Sequence, residues 1–367
     1  MKKQKLIPLL SLTAVAALSI LLFYIYRGDA DAMRFARDTL SGSYRAALGW
    51  LTARVPFSVT ETGLTALGIF LLYRLVKTVV LLVRRTGRAA LLLRRVFPVT
   101  LAGLCCWSLF LWVWSANYYA PPPYEGVLLG EGVTLETLTR AAEYFRDGAN
   151  AYAGKISRDA DGHYAEDLAA TLARLPNVYA AAEQEFPSLG TTSARVKPML
   201  YSELMSRLQF TGVYFPFTGE PNVNARSPAA LLPATAAHEL AHAHGVAREN
   251  EADFFGVAAC VTSGDPVYEY SGYLMGMIAL GNALYRADAD AYFALAAGYS
   301  DPVRQDLRDN SDYWAQYAET PAVAAVSAMY DTFLKSNGQT LGIQSYGKCA
   351  DLLAEWAAAR LAISSVP

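Results

Sequence analysis

Residues 236–256 read AAHELAHAHGVARENEADFFG and hold three of the chain's four histidines, His238, His242 and His244. His238-Glu239-Leu240-Ala241-His242 is an HExxH pattern. Residues four apart on an α-helix share a face about 6 Å apart along the axis, so both imidazoles can reach one tetrahedral zinc ion. Glu239, next to the first ligand, is placed to act as general base on a water at that metal. The alanines and leucine around it favour a helix, with Pro233 before it and Thr235 as its cap.

A third ligand is needed, and spacing restricts it. On one unbroken helix Glu249 would sit about 10 Å beyond His242, too far for shared coordination with bonds of about 2 Å. The helix must therefore end soon after His242. Gly245, free to take positive φ, permits the turn, and a second helix from near Ala247 returns Glu249 to the metal. Glu251 is the alternative, about 200° further round that helix. Asp253 shares a face with Glu249, where it can accept a hydrogen bond from a ligand imidazole, which favours Glu249. His244 lies off the face of the other two histidines and reads as a turn residue.

Working outward, 53% of the 367 residues are hydrophobic and only 17% charged, against about 25% charged in an ordinary soluble domain. The net charge of −2 hides a polarity: residues 1–117 carry 15 Lys+Arg and 4 acids, residues 118–367 carry 16 and 29. No overall basic excess points to nucleic acid as a partner. The basic third contains three apolar runs, at about 6–26, 57–77 and 96–116, each long enough to cross a bilayer. The first is too long, and ends too bulky, for a cleaved leader. Arg74 and Lys77 are expected to snorkel from the cytoplasmic end of the second span. Trp112, Trp114, Tyr118 and Tyr119 read as an interfacial aromatic belt. Lys2, Lys3 and Lys5, and the five arginines with no acid in residues 84–95, put both segments in the cytoplasm by positive-inside bias. Residue 118 onward is then extracytoplasmic. Cys105 and Cys106 read as packing residues of the third span, whereas a Cys260–Cys349 disulfide is left open.

Ala120-Pro121-Pro122-Pro123 marks the boundary between the membrane domain (1–117) and the extracytoplasmic one (118–367). Helical periodicity covers 134–153, 164–186, 267–299, 321–336 and 346–363, and the one β candidate is Phe210 to Phe217. The expected fold is mainly α: three transmembrane helices, then a mostly helical zincin-like domain with a small β edge. For the oxyanion of a hydrolytic step, Tyr214, Tyr270 and Tyr273 are the candidate donors.

HELAH followed by RENEAD resembles the gluzincin metallopeptidases, in which HExxH is joined by a glutamate in an E-x-x-A/S-D context, although the gap after His242 is unusually short here. More closely, the chain is similar to an uncharacterised bacterial family of three-span membrane proteins with a predicted gluzincin-like zinc-peptidase domain. That likeness rests on Lys197-Pro198 with Tyr201-Ser202, Thr211-Gly212-Val213-Tyr214, Glu220-Pro221-Asn222-Val223-Asn224, the HELAHAHGVARENEADF stretch, Tyr270-Ser271-Gly272-Tyr273, and Ser345-Tyr346-Gly347 before Asp351-Leu352-Leu353. The resemblance implies that Pro221–Ala225 is an edge strand pairing with an extended substrate, with Asn222 and Asn224 as contacts; an Asn-rich turn is the plain alternative. Glu220 is expected to be structural or to touch substrate. The implied activity is zinc-dependent hydrolysis of a peptide or protein substrate at the outer face of the cytoplasmic membrane, with lipid as the other partner. The alternative is a membrane sensor or scaffold with a structural or regulatory zinc site.

Overall fold

The computed structural model describes residues 3–84, 88–128, 132–317 and 320–364. α1 (Lys3–Tyr26) leads into a collar made of α2 (Ala30–Phe35), a π-helical turn at Ala36–Ser41 and α3 (Gly42–Thr52). α4 (Val59–Arg84) and α5 (Arg88–Phe110) follow, and α5 runs through a π-helical turn at Leu111–Ser115 into α6 (Ala116–Tyr119). Three stretches are long and apolar enough to cross a membrane: Pro8–Tyr26, Val59–Val83 and Arg94–Tyr119. This is a membrane protein by length and apolarity of these helices. The second stretch outruns its expected end at 77, so Arg74 and Lys77 lie inside it. Arg74 donates to the Arg95 carbonyl (3.2 Å) and Lys77 to the Tyr73 hydroxyl (2.9 Å). The tip of the basic loop, residues 85–87, lies outside the described residues.

The expected aromatic belt turns inward instead. Trp112 donates its indole N–H to Ser19 of α1, and Phe23 packs edge-on against it at 5.5 Å. Phe110, Trp114 and Tyr118, spaced by four, are buried in the same core as the helices that follow. That spacing makes one continuous helical face, aimed at protein rather than headgroups.

Beyond the Pro run, α7 (Leu135–Tyr152) starts where Thr134 Oγ1 accepts from the Thr137 N–H. The helix expected over 164–186 is broken into α8 (Leu168–Arg174) and α9 (Ala180–Glu185) by a 3-10 turn at Leu175–Asn177, whose Pro176 has no N–H to donate. Next come β1 (Lys197–Pro198), α10 (Ser202–Arg207), β2 (Gly212–Phe215), β3 (Glu220–Val223), α11 (Leu232–Ala243) and α12 (Glu249–Val261). α13 (Pro266–Ala287) and α14 (Ala289–Ala297) divide the expected 267–299 helix at Asp288, which caps α14 through the Ala291 N–H. α15 (Asp301–Ala315) went unread in the sequence because it buries only Val303 and Asp306, too thin a stripe to register as periodic. α16 (Pro321–Ser336) and α17 (Cys349–Ser364) complete the chain. Cys260 and Cys349 are buried free thiols with no disulfide between them.

The strands lie in the order β1-β3-β2, β3 being parallel to β1 and antiparallel to β2. The Pro221–Asn224 segment is therefore the sheet's centre, and both of its edges are taken. Asn222 and Asn224 are fully buried. Asn222 donates to the Glu220 carbonyl (2.9 Å), and Asn224 donates to Ser206 Oγ (2.9 Å) and the Phe210 carbonyl (3.0 Å). Asn222 Oδ1 has no hydrogen-bond partner, but complete burial keeps both side chains out of a substrate's reach. Glu220 is structural: its carboxylate accepts from the Val59 (3.2 Å) and Thr60 (2.7 Å) N–H groups at the start of α4, and Lys197 Nζ closes the pair at 2.5 Å. The sheet is thereby tied to the end of a membrane-crossing helix.

Every residue of α11 is buried, with α12, α13 and the sheet packed around it. Polar groups on so enclosed a helix must find partners or do chemistry. Thr235 sits inside α11 and bonds back to the Leu231 carbonyl, so it is no cap. The start is served from α13, where Ser271 Oγ accepts the Ala234 N–H (3.0 Å).

Candidate metal centre

α11 ends at Ala243, and the chain reverses through Gly245 at φ +101°. An L side chain there would be strained, and a Cβ would also run into the Arg45 guanidinium from the collar. α12 then opens on Glu249. His238, His242 and Glu249 bring one ligand atom each within 4.8 Å of the others. Glu249 Oε2 stands 3.4 Å from His238 Nε2 and 3.6 Å from His242 Nε2. Two ligands on one zinc, with bonds of 2.0–2.1 Å in a tetrahedron, stand about 3.3 Å apart. The donor set and its spacing fit that ion.

The outer nitrogens are held as well. His242 Nδ1 lies 2.7 Å from the Val246 carbonyl, a bond the turn itself creates. His238 Nδ1 lies 2.7 Å from Asp253 Oδ1, off the line of a good hydrogen bond but close enough to orient the ring. Both Nε2 atoms are thus left facing Glu249. Its other oxygen, Oε1, accepts from the Tyr330 hydroxyl of α16 at 2.5 Å.

Burial would push both histidines down, but Asp253 and Glu249 outweigh it and raise them above the ordinary imidazole value. Burial also works against the Glu249 charge, yet the two imidazoles hold its carboxyl well below the usual range. Glu239 differs. Burial pushes it up to about 7, only partly offset by His238 and His242, and its Oε2 is buried without a hydrogen-bond partner. Glu239 thus sets a buried carboxyl group with one unpartnered oxygen beside the three clustered side chains.

Glu251 and His244 face elsewhere. Glu251 pairs with Arg248 (2.7 Å), and His244 stacks on Tyr179 at 4.2 Å and bonds the Gly190 carbonyl. Among the described residues no fourth protein ligand joins the three, so a tetrahedral ion would keep one open position.

A cavity of about 440 Å³ opens over the cluster. Phe110, Trp114 and Tyr118 from the end of the third span form one wall, and Val326, Tyr330 and Phe333 of α16 another. Trp114 packs edge-on to His242 at 5.8 Å. β2, the sheet's edge strand, lines the same cavity, and a Cβ at Gly212 would strike the Glu239 carboxylate. Only glycine lets the strand lie that close. The Asn224 N–H bonds the Thr211 carbonyl, so alternation along the pair turns the N–H and C=O of Gly212 and Tyr214 away from β3.

Tyr214 reaches the site with its ring alone, 6.1 Å from that of His242, while its hydroxyl lies in the field of Arg45 and Tyr44. Tyr270 is bound into a buried cluster with Arg158 and Asp306, and Tyr273 packs on Tyr144, Phe145 and Tyr152. Neither lines the cavity. Tyr330 and Trp114 were missed. The spacing of 110, 114 and 118 could have revealed the second; nothing in sequence separates Tyr330 from the other 22 tyrosines.

The family described as "Protein of unknown function (DUF3810)" matches residues 40–354, which take in the end of the collar, the second and third spans and the whole centre. The chain belongs to this family. No curated protein and no solved structure matches it.

Proposed function

We propose that this DUF3810 protein is a membrane-anchored zinc metallopeptidase that cuts internal peptide bonds in apolar stretches of its substrates. The observation that carries the reading is the His238–His242–Glu249 cluster with Glu239 unpartnered beside it. Zinc held there would polarise the scissile carbonyl and acidify a water in its open position. Glu239, poised near neutrality, would accept the proton of the attacking water and hand it to the leaving amine. Tyr330 donates its one hydroxyl proton to Glu249 Oε1 at the edge of the cavity and would hold that carboxylate in place for the metal. The outward N–H and C=O groups of Gly212 and Tyr214 offer an extended substrate a strand to pair with, the part that the resemblance implied for Pro221–Ala225.

The cavity lining favours apolar side chains, and among the described residues it holds no lysine or arginine for a terminal carboxylate, which supports internal bonds over carboxy-terminal trimming. Positive-inside bias puts this end of the spans outside the cytoplasm. In the test, the full-length protein in nanodiscs, loaded with one zinc per chain, is given a panel of quenched peptides. Zinc-dependent cutting within apolar segments is the expected result. One bound zinc with every peptide left intact would refute the proposal.

A further inference from the structure

A second cavity, of about 570 Å³, lies in the collar where the first and third spans end, between α2–α3, Pro121–Pro122 and the 187–191 loop. Three arginines line it: Arg34, Arg37 and Arg45. Two of them have carboxylate partners. Arg34 pairs with Glu125 at 3.2 Å and Arg37 with Asp38 at 2.7 Å, while Arg37 also donates to the Pro121 carbonyl. Among the described residues Asp38 and Glu125 are the acids in the lining, and both are taken.

Arg45 is left over. The residue is 6% exposed, and Nη1 donates to Ser41 Oγ (2.5 Å) and Asn117 Oδ1 (3.2 Å). Nε is buried with no partner. Among the described residues no carboxylate stands within ion-pair distance of it. A buried guanidinium without a counter-charge is costly, and burial pulls its pKa below the usual arginine value. Guanidinium groups match phosphate oxygens in geometry as well as charge. The volume admits a phosphate with an organic substituent, and the position is a few residues beyond Tyr26 and Tyr119, where headgroups would lie. We propose that the collar cavity binds a phosphate group through Arg45, with Arg34 and Arg37 as its other positive walls. The source is either an anionic phospholipid headgroup or a free phosphate. The site is separate from the metal centre but touches it through Arg45, which packs beneath the Gly245 turn.

The test uses the full-length protein in detergent, delipidated, with inorganic phosphate and phosphatidylglycerol as the two probes. Phosphate is followed by calorimetry against chloride at matched ionic strength, and phosphatidylglycerol against phosphatidylcholine by native mass spectrometry. Saturable binding of one phosphate, or selective retention of one phosphatidylglycerol, is expected. Which probe binds tighter, and whether phosphate displaces the lipid, identifies the source. Arg45→Gln should weaken binding at least about tenfold. Ala46→Glu, which sets a carboxylate on the exposed rim without disturbing the buried cluster, should do the same. Binding of neither probe above its control, or wild-type binding by both variants, would overturn the proposal.

Discussion

Replacing Glu220 by glutamine should loosen the sheet from the membrane helices. The Glu220 carboxylate is fully buried and accepts from Lys197 Nζ, the Val59 and Thr60 N–H groups and Ser58 Oγ. Lys197 is 5% exposed and has two further acceptors, the Thr52 and Phe57 carbonyls, at 2.8 and 2.9 Å. Glu220→Gln leaves that ammonium buried without a counter-charge, a change that costs about 3–5 kcal/mol. For a chain of this size the loss corresponds to a melting shift on the order of 5–10 °C. Lys197→Met should cost a similar amount, and the double variant less than the sum of the two, since each single change strands the partner. The pair also fixes an acid limit. Burial alone would raise the Glu220 pKa, but Lys197 and the α4 N–H groups outweigh it and hold it below the usual value. A depressed carboxyl contributes its stability in full above the unfolded pKa of about 4.3 and loses it as pH falls below that, through its own lower value. Thermal unfolding of the full chain in nanodiscs at pH 7 and pH 3.5 reads both effects. A Glu220→Gln loss under about 1 kcal/mol at pH 7, as for an exposed pair, with the gap to wild type unchanged at pH 3.5, would refute the reasoning.

Four further outcomes follow from the same geometry. Gly245→Val should cost on the order of 2–4 kcal/mol, from a strained φ and collision with Arg45, and should lower zinc stoichiometry measured by elemental analysis. Glu249→Gln should lose the zinc while Glu251→Gln, whose carboxylate serves Arg248, keeps one per chain. Tyr330→Phe, which strips the hydrogen bond from Glu249 Oε1, should weaken zinc binding about 10–100-fold in a competition titration, whereas Tyr273→Phe should leave it within twofold of wild type. Unfolded without reductant, the protein should expose both Cys260 and Cys349 to a maleimide, counted by mass.

Much of the centre was legible because its constraints are local. The HExxH spacing, the glycine that must reverse the chain and the distance argument for Glu249 all lie within sixteen residues, where helix geometry is decisive. What could not be read is assembled from far along the chain. Arg45 and Trp114 reach the site from the collar and a membrane helix, and Tyr330 arrives 81 residues after the glutamate it touches. The spans were legible by length and apolarity, yet Trp114 and Tyr118 read as part of an interfacial aromatic belt because hydropathy does not say which face of an apolar helix meets protein. The Asn-rich strand was misplaced for a related reason: residues 220–223 look like any short strand, and only the register with β1 and β2 reveals that both edges are occupied.

The most direct measurement gives zinc-loaded wild type and Glu239→Gln, each with one metal per chain, the same apolar peptide in water enriched in oxygen-18. Wild type should release two fragments, the new carboxyl carrying one heavy oxygen, and Glu239→Gln should form them at least about a hundredfold more slowly. Equal rates from the two proteins, or fragments without the label, would contradict hydrolysis driven by Glu239 at this centre.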